Sequence, residues 1–123
     1  MFDNASVFPK EIMDKAFDLS HKGLNEIAWK RDDAILAVNF LADKGYVILG
    51  GDVFKLGEND IEYPNGDSWY IGKKGSIEWK QYVNESKEKA ISYINFYSKR
   101  NGDGYCYGIV YTDELHYMLL KNK

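Results

Sequence analysis

Cys106, His116 and His21 are the residues whose types fit nucleophilic catalysis. A cysteine attacks as its thiolate, and a nearby imidazole is the base that forms the thiolate. Cys106, however, lies in a run of tyrosine, isoleucine and valine typical of a strand, where a free cysteine most often packs as a small apolar side chain. We therefore predict no catalytic residue. The alternative is a small cytoplasmic enzyme or ligand-binding domain that uses Cys106 over a pocket lined by Tyr105, Tyr107 and Trp69.

A group of carboxylates forms the second constellation. It lies within sixteen positions and comprises Asp52, Glu58, Asp60, Glu62 and Asp67. Carboxylates catalyse acid–base steps or hold a hard cation only where they converge, and the residue spacing of a calcium loop is absent. The default interpretation is a set of solvated charges on turns, although an enzyme that uses this acidic cluster is also part of the alternative.

Aromatic residues accompany these charges, and tryptophan and tyrosine anchor protein interfaces while surrounding charges steer the partner. We therefore predict a partner-binding surface. Its residues are Asp52, Glu58, Asp60, Glu62, Asp67, Trp69 and Tyr70.

Asp52 allows two interpretations because it directly follows Gly50 and Gly51. It could project into a cationic site of the partner. It could instead accept hydrogen bonds from backbone N–H groups that a glycine bulge frees, and this structural role is the one we favour.

Metal and cofactor sites are not indicated. One cysteine and two histidines are too few for a structural zinc site. The segment 72–76, Gly-Lys-Lys-Gly-Ser, does not have the spacing of a phosphate-binding loop. We predict neither a metal nor a cofactor.

Length and charge restrict the class of protein. A chain of 123 residues fits one domain, 1–123, and a formal net charge of −3 argues against a nucleic-acid partner. Apolar stretches at 34–42 and 46–49 are too short for a membrane span. With a single cysteine and no secretory pattern at the N-terminus, we expect a cytoplasmic protein that is a monomer or a weak dimer.

Hydrophobic periodicity predicts three helices, at 9–20, at 30–42 with Gly45 just beyond its end, and at 76–100 with Ser76 as its cap. Residues 24–29 are predicted to form a linker that Ile27 and Trp29 anchor to the core.

Extended segments are predicted at 46–56, 61–63 and 68–72, as a three-stranded antiparallel meander, and at 105–112. Gly50 and Gly51 indicate a bulge or a close backbone approach within the first strand. For 113–120 we favour a strand, and a short helix capped by Thr112 or Asp113 is the alternative. The predicted fold is α+β, an antiparallel sheet of about four to five strands packed against about three helices.

Several of these motifs together resemble the immunity protein 40 family of bacterial polymorphic toxin systems. They are Leu-Asn-Glu-Ile-Ala-Trp at 24–29 before an alanine-rich helix, Ile-Leu-Gly-Gly-Asp-Val-Phe at 48–54, Asp-Ser-Trp-Tyr at 67–70 and Glu78-Trp79 at the start of a helix. The resemblance covers about residues 20–110, and the Gly-Gly-Asp-Val step is its most specific part.

This resemblance implies a non-enzymatic protein that docks on a cognate toxin domain and blocks its active site or substrate path. Many toxins of such systems are basic and attack nucleic acid, and an acidic binder would be steered towards them. A scaffold subunit of a larger assembly is a third hypothesis.

Overall fold

The structure, a computed structural model, describes residues 7–18, 27–56, 61–62, 68–71 and 78–121. Within these ranges the chain forms one antiparallel sheet and four helices, which confirms the predicted α+β class. The helices are α1 (Lys10–Met13), α2 (Arg31–Asp43), α3 (Trp79–Asn101) and α4 (Glu114–Lys121). The strands are β1 (Phe17–Asp18), β2 (Ile27–Lys30), β3 (Val47–Leu56), β4 (Ile61–Glu62), β5 (Ser68–Tyr70), β6 (Tyr105–Gly108) and β7 (Val110–Thr112).

The long strand β3 is the centre of the sheet, whose order is β1-β2-β6-β3-β4 with β5 and β7 also paired to β3. Gly50 of β3 pairs with both Tyr70 of β5 and Val110 of β7, so these two strands lie on opposite edges of β3. Lys55 likewise lies between β4 and β6. The seven described strands therefore occupy five rows, because β4 and β5 share one edge of β3 while β6 and β7 share the other.

The predicted three-stranded meander is wrong. From Lys55 to Asp52 the strand β3 advances three residues, whereas their partners Glu62 and Ser68 are six residues apart. Strands β4 and β5 are therefore two pieces of one return arm against β3. The residues between them include Pro64, which has no backbone N–H to give to a strand ladder.

Helices α2 and α3 cover one face of the sheet. The buried cluster between them and the strands includes Trp29, Leu41, Val53, Trp69, Ile94 and Tyr107. A smaller buried cluster on the opposite face contains Ala28, Phe54 and Cys106. Alternation of side chains along β2, β3 and β6 produces this division, because neighbouring residues of a strand point to opposite faces.

The end of α2 confirms the role predicted for Gly45. Its φ is +87°, a left-handed conformation that costs glycine little. The N–H of Gly45 donates to the Ala42 carbonyl at 3.0 Å, and the N–H of Tyr46 donates to the Leu41 carbonyl at 2.9 Å. This pair of hydrogen bonds is the Schellman arrangement, and it turns the chain directly from α2 into β3.

Gly50 and Gly51 produce both of the features predicted for them. The pairing register of β3 with β7 shifts between Ile48 and Gly50, which is a bulge, and Gly50 has φ +151°. At Gly51 a Cβ atom would lie 1.9 Å from the Gly108 carbonyl oxygen and 2.8 Å from the Trp69 ring. Only a residue without a side chain therefore lets β5 and β6 approach β3 this closely from its two sides.

The N-terminal segment differs from the prediction. The helix expected over 9–20 is a single turn, Lys10–Met13, and Phe17 then pairs with Ala28 as part of β1. Residues 27–29 of the predicted linker belong to β2, since Trp29 pairs with Tyr107 of β6. The anchoring role of Trp29 is confirmed, because its ring is buried and its indole N–H donates to the Ile12 carbonyl at 3.0 Å.

Two further boundaries are corrected. Helix α3 begins at Trp79 with Glu78 at its N-cap, and the predicted cap Ser76 lies outside the described residues. The segment after β7 is the helix α4, so the favoured strand is wrong. Asp113 starts this helix, because its carboxylate accepts the His116 N–H at 2.8 Å and its carbonyl accepts the Tyr117 N–H at 3.0 Å.

The close approach at Gly51 makes a stability prediction. We expect Gly51→Ala to lower the free energy of unfolding by at least ~2 kcal/mol, because the new methyl group overlaps a backbone oxygen that cannot move aside. Urea denaturation measures the loss. Gly104→Ala is the matched control, since a Cβ there has no neighbour within 4 Å, and we expect a change of less than ~0.5 kcal/mol. Equal stability of the two variants would refute the packing described at Gly51.

Candidate partner-binding surface

Trp69 and Tyr70, the two aromatic residues predicted to contact a partner, point to opposite faces of the sheet. Trp69 is only 8% exposed, and its ring is stacked on Tyr93 of α3 with centroids 5.1 Å apart and planes at 19°. Tyr70 is 73% exposed. Trp69 is therefore a core residue that attaches β5 to α3, while Tyr70 is presented to solvent.

Tyr70 shares its face of the sheet with three other residues that are not fully buried. Residues paired directly across antiparallel strands point to the same side, and Gly50 pairs with both Tyr70 and Val110 while Asp52 pairs with Ser68. Tyr70, Ser68 and Val110 are exposed, and Asp52 is half-buried. We call these four residues the open face. Tyr70 and Val110 lie on the strands on either side of Gly50, two strand spacings or about 10 Å apart. Because Gly50 has no side chain, the surface between these two residues is a depression.

Of the other four acidic residues of the predicted surface, the structure describes only the backbone of Glu62. Glu62 belongs to β4, with its backbone opposite Lys55 on the same edge of β3 as β5. Glu58, Asp60 and Asp67 lie outside the described residues. The structure thus brings Asp52 and Tyr70 to one face, and the grouping of the other carboxylates around them stays a prediction.

Ser86 accepts a backbone hydrogen bond at the bulge, which is the kind of role that the sequence suggested for Asp52, and the role of Asp52 itself stays a prediction. Its hydroxyl oxygen accepts the backbone N–H of Ile48 at 3.0 Å, and its O–H donates to the Val83 carbonyl at 3.0 Å. Ser86 is fully buried. Sequence reasoning did not find this residue, although a serine at helical spacing from Val83 and Ala90 on the buried face of α3 is the signal for it.

Cys106 is buried, as predicted. Its exposed fraction is 0%, it packs with Ala28 and Phe54, and burial raises its pKa to about 12. His116 belongs to α4, where its Nδ1 lies 2.7 Å from the Asp113 carboxylate. His21 lies outside the described residues. Neither the protonation state nor the surroundings of Cys106 suit a nucleophile.

A cleft of about 330 Å³ lies between the start of α2 and the end of α3. Its described lining consists of Lys30, Arg31, Asp32, Asp33, Ser98, Asp103 and Tyr105. Arg31 is already engaged: it contacts Asp32 of the lining at 3.0 Å and donates to the Asn95 side chain, outside the lining, at 3.3 Å. The ligand pocket suggested for Tyr105, Tyr107 and Trp69 does not form, because Trp69 and Tyr107 are core residues and only Tyr105 reaches this cleft.

Among the described residues, no group of three or more histidine, cysteine or carboxylate side chains is placed to hold a metal ion. No helix in these ranges is both long and apolar enough to cross a bilayer.

The family model of immunity protein 40 matches residues 18–111. The chain belongs to the immunity protein 40 family. No curated protein and no solved structure matches it. In this immunity protein 40 family member, the matched region includes the Gly50–Gly51 approach with Trp69, and it ends before α4 begins.

The opposite orientations of Trp69 and Tyr70 are testable in this immunity protein. We expect Trp69→Ala to lower the free energy of unfolding by about 3–5 kcal/mol, because it removes a buried ring stacked on Tyr93. The neighbouring Tyr70→Ala is the matched control and should change it by less than ~0.5 kcal/mol. If Trp69→Ala does not fold, Trp69→Phe should show a smaller loss of the same sign. Similar losses at 69 and 70 would contradict the assignment.

The burial of Cys106 predicts that its thiol reacts slowly with alkylating reagents. The thiolate fraction at a given pH falls as the pKa rises, so a thiol with a pKa of about 12 is almost fully protonated at pH 8. We expect iodoacetamide to alkylate the folded protein at least ~100-fold more slowly than the urea-unfolded protein at that pH. Mass spectrometry follows the reaction. Equal rates in both states would restore Cys106 as a candidate nucleophile.

Proposed function

We propose that this protein binds a cognate bacterial toxin domain and neutralises it by occupying its surface, without a catalytic group of its own. Membership of the immunity protein 40 family is the observation that carries the proposal. The state of Cys106 supports it, because burial of the chain's single thiol disfavours one of the two catalytic candidates of the enzymatic alternative, the other being the acidic cluster.

The proposed contact surface is the open face together with the predicted acidic residues around it. Tyr70 is its anchor, because a largely exposed tyrosine on a strand presents a rigid amphipathic ring at little cost in side-chain entropy. Trp69 does not contact the partner in this proposal. Its ring stacks on Tyr93 of α3 and so holds in place β5, the strand that carries Tyr70. The role of Trp69 therefore changes from direct contact to positioning.

Charge supplies the second part of the proposal. Five acidic residues lie close together in the sequence of a chain with a net charge of −3, and the proposal places them around the open face; they are Asp52, Glu58, Asp60, Glu62 and Asp67. Such a surface accelerates encounter with a basic toxin, for example one that acts on nucleic acid, and salt screens the effect. A polymorphic toxin system in a bacterial cytoplasm is the proposed context.

The test uses the toxin domain encoded beside this protein. We expect co-expression of the wild-type protein to restore growth of cells that produce the toxin. A quadruple variant with Glu58→Lys, Asp60→Lys, Glu62→Lys and Asp67→Lys should associate with the purified toxin at least ~10-fold more slowly at low salt, with a smaller difference at high salt. Surface plasmon resonance measures the association rate.

The control is a second quadruple variant with the same change in net charge. It carries Glu11→Lys, Asp32→Lys, Asp43→Lys and Glu88→Lys, at exposed positions on α1, α2 and α3. An equal effect of the two variants would show that net charge alone governs the rate. Failure of the wild-type protein to bind the toxin or to protect the cells would refute the proposed function.

A further inference from the structure

Helix α4 has apolar side chains on its outer side as well as on its buried side. Tyr117 packs inward against Trp79 and Tyr82, with ring centroids 5.5 and 5.6 Å away. Leu115, Met118 and Leu119 are 66%, 46% and 57% exposed. These three residues follow the i, i+3, i+4 spacing of one helical face, and we call them the α4 stripe.

The α4 stripe is exposed on an element that the fold holds firmly. Asp113 caps the helix, and Tyr117 is buried in a cluster with Val47, Tyr82 and Val83. A surface helix normally places polar residues on its outer side. Single exposed leucines need no explanation, but adjacent ones on one helical face are typical of a protein interaction site.

The stripe lies at the same end of the sheet as the exposed apolar residues of the open face. Val110 precedes the start of α4 by four residues. The chain passes from β7 through the single residue Asp113 into α4, so the stripe adjoins the end of the strand that carries Val110.

Family membership favours a toxin over a second copy of this chain as the occupant, because an immunity protein family implies a toxin partner. Three residues are far fewer than the roughly 20–30 per side of a stable interface, so the stripe needs an adjoining surface, and the open face supplies one. The family model matches residues 18–111. Helix α4 lies outside that region, so its contact residues can differ between toxins without a change in the matched part of the fold.

We propose that the α4 stripe is the apolar anchor of the toxin interface and determines which toxin is bound. Its complement is an apolar pocket on the toxin with a lysine or arginine rim that faces Asp113 and Glu114. This inference rests on the proposed function and deepens it. It adds α4 to the surface predicted from the sequence, whose last residue along the chain is Tyr70.

The experiment compares two sets of substitutions in the full chain. The triple variant Leu115→Gln, Met118→Gln, Leu119→Gln removes the stripe with residues that favour helices. We expect the Kd for the purified cognate toxin to rise about 100-fold in isothermal titration calorimetry. The control variant Leu36→Gln, Phe96→Gln changes exposed apolar residues of α2 and α3, of which Phe96 lies ~25 Å along α3 from Trp79. The Kd of this control should stay within about twofold of wild type.

The outcomes separate this inference from the proposed function. Wild-type protein that fails to bind the toxin refutes both, whereas wild-type binding that the triple variant retains refutes only the inference. Light scattering adds a second readout: a wild-type dimer that the triple variant dissociates, with toxin affinity unchanged, would assign the stripe to a second copy and overturn the inference. If the triple variant does not fold by circular dichroism, Leu115→Gln and Leu119→Gln alone should each weaken binding in the same direction.

Discussion

The close approach of three strands at Gly50 and Gly51 constrains the sheet and the helix packed on it. Gly51 has no side chain, and a Cβ atom there would lie 1.9 Å from the Gly108 carbonyl oxygen and 2.8 Å from the Trp69 ring. Trp69 can then stack on Tyr93, which joins β5 to α3. Gly51 thereby lets the strands on both edges of β3 lie close to it, and through Trp69 it helps to position α3.

The same region also shows how the backbone cost of the bulge is met. A register shift leaves an N–H group without a strand partner, and a buried unpaired N–H costs about 1–3 kcal/mol. Ser86 supplies the acceptor for Ile48 from α3, so the helix is attached to β3 by a hydrogen bond as well as by packing.

Sequence reasoning succeeded where one residue type has few physical roles. Two glycines inside a strand pattern leave little besides a bulge or a close approach, and both occur. A glycine after an apolar helix similarly predicted the helix end at Gly45. The prediction was wrong where a short segment fits both the two-residue period of a strand and the 3.6-residue period of a helix. Leu115, Tyr117 and Leu119 alternate as a strand would, but only Tyr117 is buried, and the Asp113 cap decides for a helix.

The candidate surface could be predicted only in part, for a related reason. A sequence shows that Trp69 and Tyr70 are adjacent, and adjacency on a strand means opposite faces, but it does not say which of them faces the core. The pairing of Trp69 with Gly51 decides this, and that pairing depends on the number of residues in the return arm, which sequence reasoning treated as two separate strands. The α4 stripe was missed because the segment was interpreted as a strand.

We propose that this protein acts through one contact surface, made of β5, the open face and α4. The sharpest test is a comparison of hydrogen–deuterium exchange in the toxin complex with that in the free protein. We expect slower amide exchange in residues 68–71 and 110–121, and unchanged exchange around the cleft at 30–33 and 98–105. Slower exchange confined to the cleft, with β5 and α4 unchanged, would contradict it.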